Sequence, residues 1–276
     1  MPSLTPPAIP AGRIAASVQP VIPIAPGLVL RPWSVADAPA VIAAYADTDI
    51  RYWHARAVDN EAEARALIER WRSAWAAESG AVWAVVHEDD EAGAGVGFVG
   101  VVVAGAAGGG VGRADAAAGG VAGGGVGRAG AVAGGVAGEG VGRAGAAADS
   151  VVGEGAARRV GQSTREHGAT SQDTVLGRIA LRAIDTEQGR AECAYWIRPE
   201  ARGNGLAGRA LSALTTWAFD EVGFHRLFLV HSTANEASCR VASKAGFVPE
   251  GVERSSVLHS DGWHDMHVHS QIAGLD

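Results

Sequence analysis

Residues 191–208 read Ala191-Glu192-Cys193-Ala194-Tyr195-Trp196-Ile197-Arg198-Pro199-Glu200-Ala201-Arg202-Gly203-Asn204-Gly205-Leu206-Ala207-Gly208. The first eight positions predict a buried strand, and the apolar spacing that begins at Leu206 predicts a helix. Leu206, Ala210, Leu211, Leu214, Trp217 and Ala218 fall on one face of a helix over Gly205–Val222. A helix start leaves unpaired backbone N–H groups and the positive end of a dipole. Gly203 and Gly205 let that backbone approach a diphosphate closely. A dinucleotide fold would place an acidic residue about 20 positions on, after the next strand. Here Glu221 closes the helix instead, and Leu206 stands where a nucleotide-binding loop of the lysine type would carry Lys.

The flanking sequence alternates regularly. Downstream come a strand over Arg226–Ser232, a short helix over Asn235–Ala245 stopped by Gly246, and strands over Phe247–Leu258 and Trp263–Ile272. Upstream, Thr174–Ile184 alternates as a strand with Val175, Gly177, Ile179 and Leu181 on one face and Arg178 and Arg182 on the other. Earlier still are a strand over Leu28–Trp33, a helix over Asp37–Asp47, a helix over Asn60–Ala77 with Asp59 as its N-cap, and a strand over Val82–His87. This pattern predicts a single α/β (α+β) domain over residues 27–276 with a mixed, mostly antiparallel twisted sheet. Residues 1–26, rich in Pro and Ala, read as a disordered tail, and prolines break any run suited to a secretory signal.

Residues 89–173 interrupt the hairpin between the second and third of these strands. The pentad Gly110-Val111-Gly112-Arg113-Ala114 recurs at Gly125 and at Gly140. Each repeat offers only Ala and Val for burial, too little to offset its own ordering entropy. A low-complexity Gly/Ala-rich loop is expected there, with one short strand possible in principle over Gly97–Val103 and no catalytic role.

The formal net charge of −7 argues against a nucleic-acid partner held by phosphate neutralisation. No uninterrupted apolar run reaches membrane-spanning length. Two cysteines, Cys193 and Cys239, make neither a disulfide framework nor a metal-binding Cys pair. The expectation is a cytoplasmic monomer or homodimer with no membrane partner. His264, His267 and His269 lie close in sequence, but in a strand His267 and His269 share a face and His264 points away. No three-ligand set emerges on one face, so no metal is expected.

Four motifs in combination carry a resemblance: Arg-Gly-x-Gly-x-Ala at Arg202–Ala207, Asn-Glu-Ala-Ser at Asn235–Ser238, Ala-Gly-Phe at Ala245–Phe247, and Asp-Gly-Trp-x-Asp at Asp261–Asp265. Together they resemble the GNAT superfamily of N-acetyltransferases, in its Rim-type branch of ribosomal-protein N-terminal acetyltransferases. The resemblance covers residues 174–272, and 27–88 more weakly. It implies a GNAT fold, acetyl-CoA as cosubstrate, and acetyl transfer to a primary amine, either a peptide or protein N-terminus or a small molecule. The rival class is a non-catalytic acyl-CoA-binding regulatory module.

By the same resemblance, backbone groups of Ile197 and Arg198 would hold the pantetheine arm. Arg202, Gly203, Asn204, Gly205, Leu206 and Ala207 would cradle the diphosphate, and Asn235 and Ser238 would face the cofactor near its sulfur. Direct attack on the thioester needs a base, an oxyanion partner and a proton for the thiolate. Glu192 is the expected base, through water. Ser238, or in its place Tyr195, is the expected donor to the thiolate. Trp53, His54 and His231 are expected at the acceptor, with Trp53 and His54 in a loop between the first two helices. One departure stands out: Rim-type enzymes often carry Glu near the position of Val257, and Val257 cannot be a base. Neutralising an α-amine at pH 7 costs about 1 kcal/mol, against roughly 4–5 kcal/mol for a lysine side chain. A weak or relayed base therefore suits an α-amine.

Overall fold

A computed structural model describes residues 5–88, 132–133 and 174–275. The pentad repeats and the strand expected over Gly97–Val103 lie outside the described residues. Strands β1 (Ile22–Ala25) and β2 (Leu28–Pro32) precede three helices, α1 (Ala38–Tyr45), α2 (Thr48–His54) and α3 (Glu61–Ala76). Then follow β3 (Gly80–His87), β4 (Val132–Ala133), β5 (Thr174–Asp185), β6 (Arg190–Ile197), α4 (Leu206–Trp217), β7 (Arg226–Ser232), α5 (Glu236–Lys244), β8 (Val248–His259) and β9 (Gly262–Ile272). The sheet order is β1-β2-β3-β5-β6-β7-β9-β8, with β4 attached to β6. Every pairing is antiparallel except β6 with β7.

Strand alternation sorts the interior into two cores, one on each face of the sheet. Trp83 and Val85 of β3, Leu181 of β5, Cys193 and Tyr195 of β6, and Leu227 and Leu229 of β7 meet the apolar faces of α4 and α5. Val82, Ala84 and Val86 of β3 and Trp196 of β6 meet α1, α2 and α3 on the opposite face. Fully buried side chains such as Trp83 and Trp196 each contribute about 1.5–3 kcal/mol through area removed from water. The apolar face expected of α3 is buried at Ala64, Leu67, Ile68, Trp71 and Trp75. Its N-cap is Asn60, not Asp59: the Asn60 side chain accepts from the Glu63 N–H. The helix expected to run to Val222 stops at Trp217, and a π-helical turn carries the chain on to Gly223, whose φ of 94° ends it.

The tail expected over residues 1–26 is corrected from residue 5 onward. Ile9, Ile14 and Ile22 are core residues, and β1 pairs with β2. The cause is polar as well as apolar. Two indole N–H groups on the α4 face need acceptors, and this segment supplies them: Trp75 donates to the Ser17 carbonyl at 3.1 Å and Trp83 to the Pro20 carbonyl at 2.8 Å. The Glu78 carboxylate accepts in turn from the main-chain N–H groups of Gly12, Ile14 and Ala15.

Candidate active site

β6 and β7 pair only through Arg190, Ala191 and Glu192, opposite Arg226, Leu227 and Phe228. Beyond these residues no β6–β7 pairing continues, and Tyr195 and Trp196 of β6 pair with Ala133 and Val132 of β4 instead. α2 and α5 flank β4 in this gap. β6 and β7 thus separate beyond Glu192, and β4 pairs with the β6 edge that this leaves.

On the α4 side, Gly205 caps the helix with φ 71° and no side-chain hydrogen bond, so the first-turn N–H groups are left for an external acceptor. Gly203, also left-handed at φ 87°, precedes it. A Cβ added at Gly203, Gly205 or Gly208 meets nothing within 4 Å, so the space above the turn is open. Leu206 and Ala207 are buried, while Gly203, Asn204 and Gly205 are exposed, as a main-chain cradle requires. A valine at position 205 would be strained in the left-handed region by about 1–2 kcal/mol and would tilt the first-turn N–H groups. Gly205→Val is expected to raise KM for acetyl-CoA about tenfold with a smaller change in kcat, read from initial-rate kinetics.

One of the two backbone assignments in the gap needs correction: the Arg198 N–H donates to the Leu176 carbonyl at 2.9 Å, on the β5 side. Ile197, opposite Gly177, alternates to the other edge, so its main-chain groups face away from β5, and its carbonyl accepts there from Arg202 Nε at 2.9 Å. The Arg202 side chain points away from the cradle, bonding Asp47 Oδ1 at 2.7 Å and Asp49 Oδ2 at 3.1 Å.

Ser238 sits in the first turn of α5, with its N–H donating to Asn235 Oδ1 at 3.0 Å. Its hydroxyl oxygen is buried and has no hydrogen-bond partner among the described residues. Leaving such a group unmet costs about 1–3 kcal/mol, which favours a ligand that meets it. The Tyr195 hydroxyl lies 3.5 Å from the Ser238 carbonyl, and burial pushes its pKa up, which makes it a poorer acid. Glu192 is buried and ion-paired with Arg182 at 2.5 Å. Burial raises its pKa, and the Arg182 guanidinium opposes that rise.

The three expected acceptor residues separate. Trp53 and His54 belong to α2, not to a loop. The Trp53 ring packs 5.8 Å from His259 and 6.4 Å from His264. His54 turns the other way, with its ring 6.4 Å from Tyr45; burial, then Arg178 and Arg182, hold its pKa well below the usual imidazole value. His231 follows Leu227 and Leu229 on the α5 face, so it does not share a pocket with Trp53.

Around Trp53 lies a constellation that sequence reasoning missed. Ser232 Oγ is 2.7 Å from His264 Nδ1, and His264 Nε2 is 3.0 Å from Asp261 Oδ1. The Tyr52 hydroxyl donates to Asp261 Oδ2 at 2.6 Å; burial and then Asp261 push that phenol up to about 12. Ser232 Oγ also accepts from the Ala234 N–H at 3.1 Å. A carboxylate only accepts, so His264 Nε2 carries the proton and Nδ1 offers its lone pair to the Ser232 hydroxyl. The Asp261–His264 pair was visible as a three-residue spacing. Its partner Ser232 is 32 residues away and becomes a neighbour only through β7–β9 pairing.

The family profile described as Acetyltransferase (GNAT) domain matches residues 27–126 and 150–248. The chain belongs to the GNAT acetyltransferases. Curated relatives include the N-acetyltransferase YoaA of Bacillus subtilis strain 168, 35% identical over 105 residues, covering 37% of this chain and 59% of YoaA. Ribosomal-protein-serine acetyltransferase of Escherichia coli K12 is 26% identical over 101 residues, covering 37% of this chain and 56% of its own. The chain thus spans little more than half the length of the curated relatives it matches. Among solved structures, RimL, a ribosomal alpha-N-protein acetyltransferase in complex with coenzyme A, superposes with a TM-score of 0.57 at 14% identity, covering 93% of this chain and all of RimL. At that identity the likeness speaks for the fold. Among the described residues, no helix of this GNAT protein is long and apolar enough to cross a membrane.

Proposed function

We propose that this GNAT protein transfers the acetyl group of acetyl-CoA to a primary amine by direct attack, with a protein N-terminus as the favoured acceptor. Bound acetyl-CoA supplies the electrophilic thioester. The features that fit it are the open glycine turn at α4, the main-chain edge of β6 at Tyr195 and Ile197, and the buried, unmet hydroxyl of Ser238. Ser238 donates to the leaving sulfur. A cytoplasmic setting follows from this chemistry, since acetyl-CoA and nascent protein amines meet there.

The observation that carries the proton path is the register of β8 and β9. Val257, where the Rim-type branch often has Glu, pairs directly with His264. The proton acceptor missing at Val257 is supplied across the ladder by His264, with Asp261 fixing its tautomer and Ser232 relaying the amine proton. Glu192, already engaged by Arg182, is a weaker candidate for the base. A relayed proton path suits an α-amine better than a lysine side chain, because the α-amine is cheaper to neutralise at pH 7. Trp53, Tyr52 and His259 wall the acceptor side of the relay.

The decisive experiment is a thiol-release assay with acetyl-CoA against a panel of peptides with free N-termini, lysine side-chain amines and small amines. Coenzyme A release with N-terminal peptides is expected. Binding of acetyl-CoA without release from any acceptor would return the protein to the class of acyl-CoA-binding regulators.

β4 adds a further expectation, because it fills the slot an extended pantetheine arm would need. Deleting residues 105–165, which removes β4, is expected to leave acetylation intact and to lower KM for acetyl-CoA. A folded deletion variant that loses activity would contradict both halves of this expectation.

A further inference from the structure

Three imidazoles and one thiol converge on the α5 face of the sheet, away from the acceptor relay. His231 ends β7, and the β7–β9 register sets His267 opposite it and His269 opposite Leu229. Cys239, in the first turn of α5, closes the group from above. His231 Nε2 lies 3.2 Å from His269 Nε2, and Cys239 Sγ lies 3.9 Å from the same nitrogen. One donor atom from each of the four residues falls within 4.8 Å of all the others. Within β9 the sequence arithmetic holds, with His267 and His269 on one face. The remaining donors come from β7 and α5, which a reading of β9 by itself cannot reach.

Hydrogen bonding within the cluster amounts to one proton shared between His231 Nε2 and His269 Nε2, which a metal ion displaces when His269 carries its ring proton on Nδ1 instead. His231 Nδ1 lies 2.8 Å from the Ser232 carbonyl, which only accepts. Nδ1 therefore carries the ring proton, and Nε2 presents a lone pair to the cluster. His267 Nδ1 is buried with no hydrogen-bond partner among the described residues.

We propose that His231, Cys239, His267 and His269 form a tetrahedral zinc site that ties α5 to β7 and β9. Zinc–nitrogen bonds of about 2.0–2.1 Å and a zinc–sulfur bond of about 2.3 Å put tetrahedral N···N and N···S edges near 3.4 and 3.6 Å. Two of the separations, 3.2 and 3.9 Å, lie close to those edges, and the widest, within 4.8 Å, closes on them by side-chain rotation as the ion binds. A thiolate with imidazoles favours zinc over magnesium or calcium. The His231 Nδ1–H bond to a main-chain carbonyl is the outer-shell contact that orients a metal-binding imidazole. On binding, the Cys239 thiol releases its proton to solvent and the three imidazoles bind neutral. Four protein ligands leave no open position, so the ion is structural and takes no part in acyl transfer. Its effect is to anchor the helix that presents Asn235 and Ser238 to the cofactor slot.

The test uses the full chain without an affinity tag. Metal analysis after zinc loading and washing is expected to find one zinc ion per chain. Cobalt loading is expected to give intense tetrahedral visible bands and a thiolate-to-cobalt charge-transfer band. Cys239→Ser should abolish the charge-transfer band. Cys239→Ser and His267→Ala should each weaken zinc binding at least tenfold in competition with a chromophoric chelator. Failure of the wild-type chain to retain zinc, or weak octahedral cobalt bands, would overturn the proposal even if a variant failed to fold. Full zinc retention by a folded Cys239→Ser, His267→Ala double variant would overturn it as well.

Discussion

Replacing His264 with alanine is expected to lower kcat by about a hundredfold to a thousandfold, while KM for acetyl-CoA stays within a few-fold. That loss corresponds to roughly 3–4 kcal/mol of transition-state stabilisation. His264 is the only member of the relay that both accepts a proton at Nδ1 and hands charge to a carboxylate at Nε2. Without it, the Ser232 hydroxyl has nowhere to pass a proton taken from the attacking amine. Asp261→Asn keeps the shape but removes the negative charge that steadies an imidazolium, so a loss of about tenfold is expected. Tyr52→Phe removes only a second donor to Asp261, and its effect should be smaller still. Raising the pH should partly rescue His264→Ala, because the neutral fraction of an α-amine grows toward its reference pKa of about 7.7–8.0. Matched melting temperatures for variant and wild type would separate a chemical loss from an unfolded one. Glu192→Gln is the control that decides between bases. A tenfold or greater loss there, with His264→Ala near wild type, would move the base to Glu192 and sink the relay.

The sequence exposed what depends on neighbours along the chain. Gly203 and Gly205 announced a glycine turn before the helix, and the turn is there, with φ at 87° and 71°. The apolar stripes of α3 and α4, the alternation in β5 and the apolar run of β7 announced the mixed sheet with flanking helices, and the motifs around Arg202 and Asn235 announced the family. What stayed hidden depends on long-range pairing. Ile9 and Ile14 follow no period, and they are held in place by partners far along the chain: the Ile9 N–H donates to the Thr186 carbonyl and the Ile14 N–H to the Glu78 carboxylate. Ser232 and His231 are adjacent in sequence yet face opposite sides of the sheet, one toward α2 and the other toward α5. Reading His231 as an acceptor residue placed the right strand end on the wrong face. The cluster of His231, Cys239, His267 and His269 was out of reach for the same reason, because its members lie on three elements.

Arg202→Ala is expected to be the most damaging substitution in the cradle, although the side chain does not face the cradle. Its guanidinium bonds Asp47, Asp49 and the Ile197 carbonyl together. Asp47 is the N-cap of α2, and its Oδ1 also accepts from the Ile50 N–H. One side chain thus links the end of β6, the turn into α4 and the helix that carries Tyr52 and Trp53. Arg202 and Asp47 are only 15% and 16% exposed, so the pair is poorly screened, whereas Asp49 at 38% is partly solvated. Removing the cation leaves the largely buried Asp47 carboxylate without its counter-charge, with the Ile50 N–H still donating to it, and the Ile197 carbonyl without the Arg202 donor. A buried pair broken on one side costs about 3–5 kcal/mol, and discounting the solvated arm leaves roughly 2–4 kcal/mol. Lysine cannot restore the link, because a single ammonium does not reproduce the guanidinium fork that reaches two carboxylates and a carbonyl at once. Arg202→Lys should therefore recover less than half of the stability. Chemical denaturation measures the loss, and initial rates should show KM rising for acetyl-CoA and for the amine together. A rise in KM for acetyl-CoA alone, at unchanged stability, would mean that Arg202 binds phosphate directly and that its bonds to α2 are incidental.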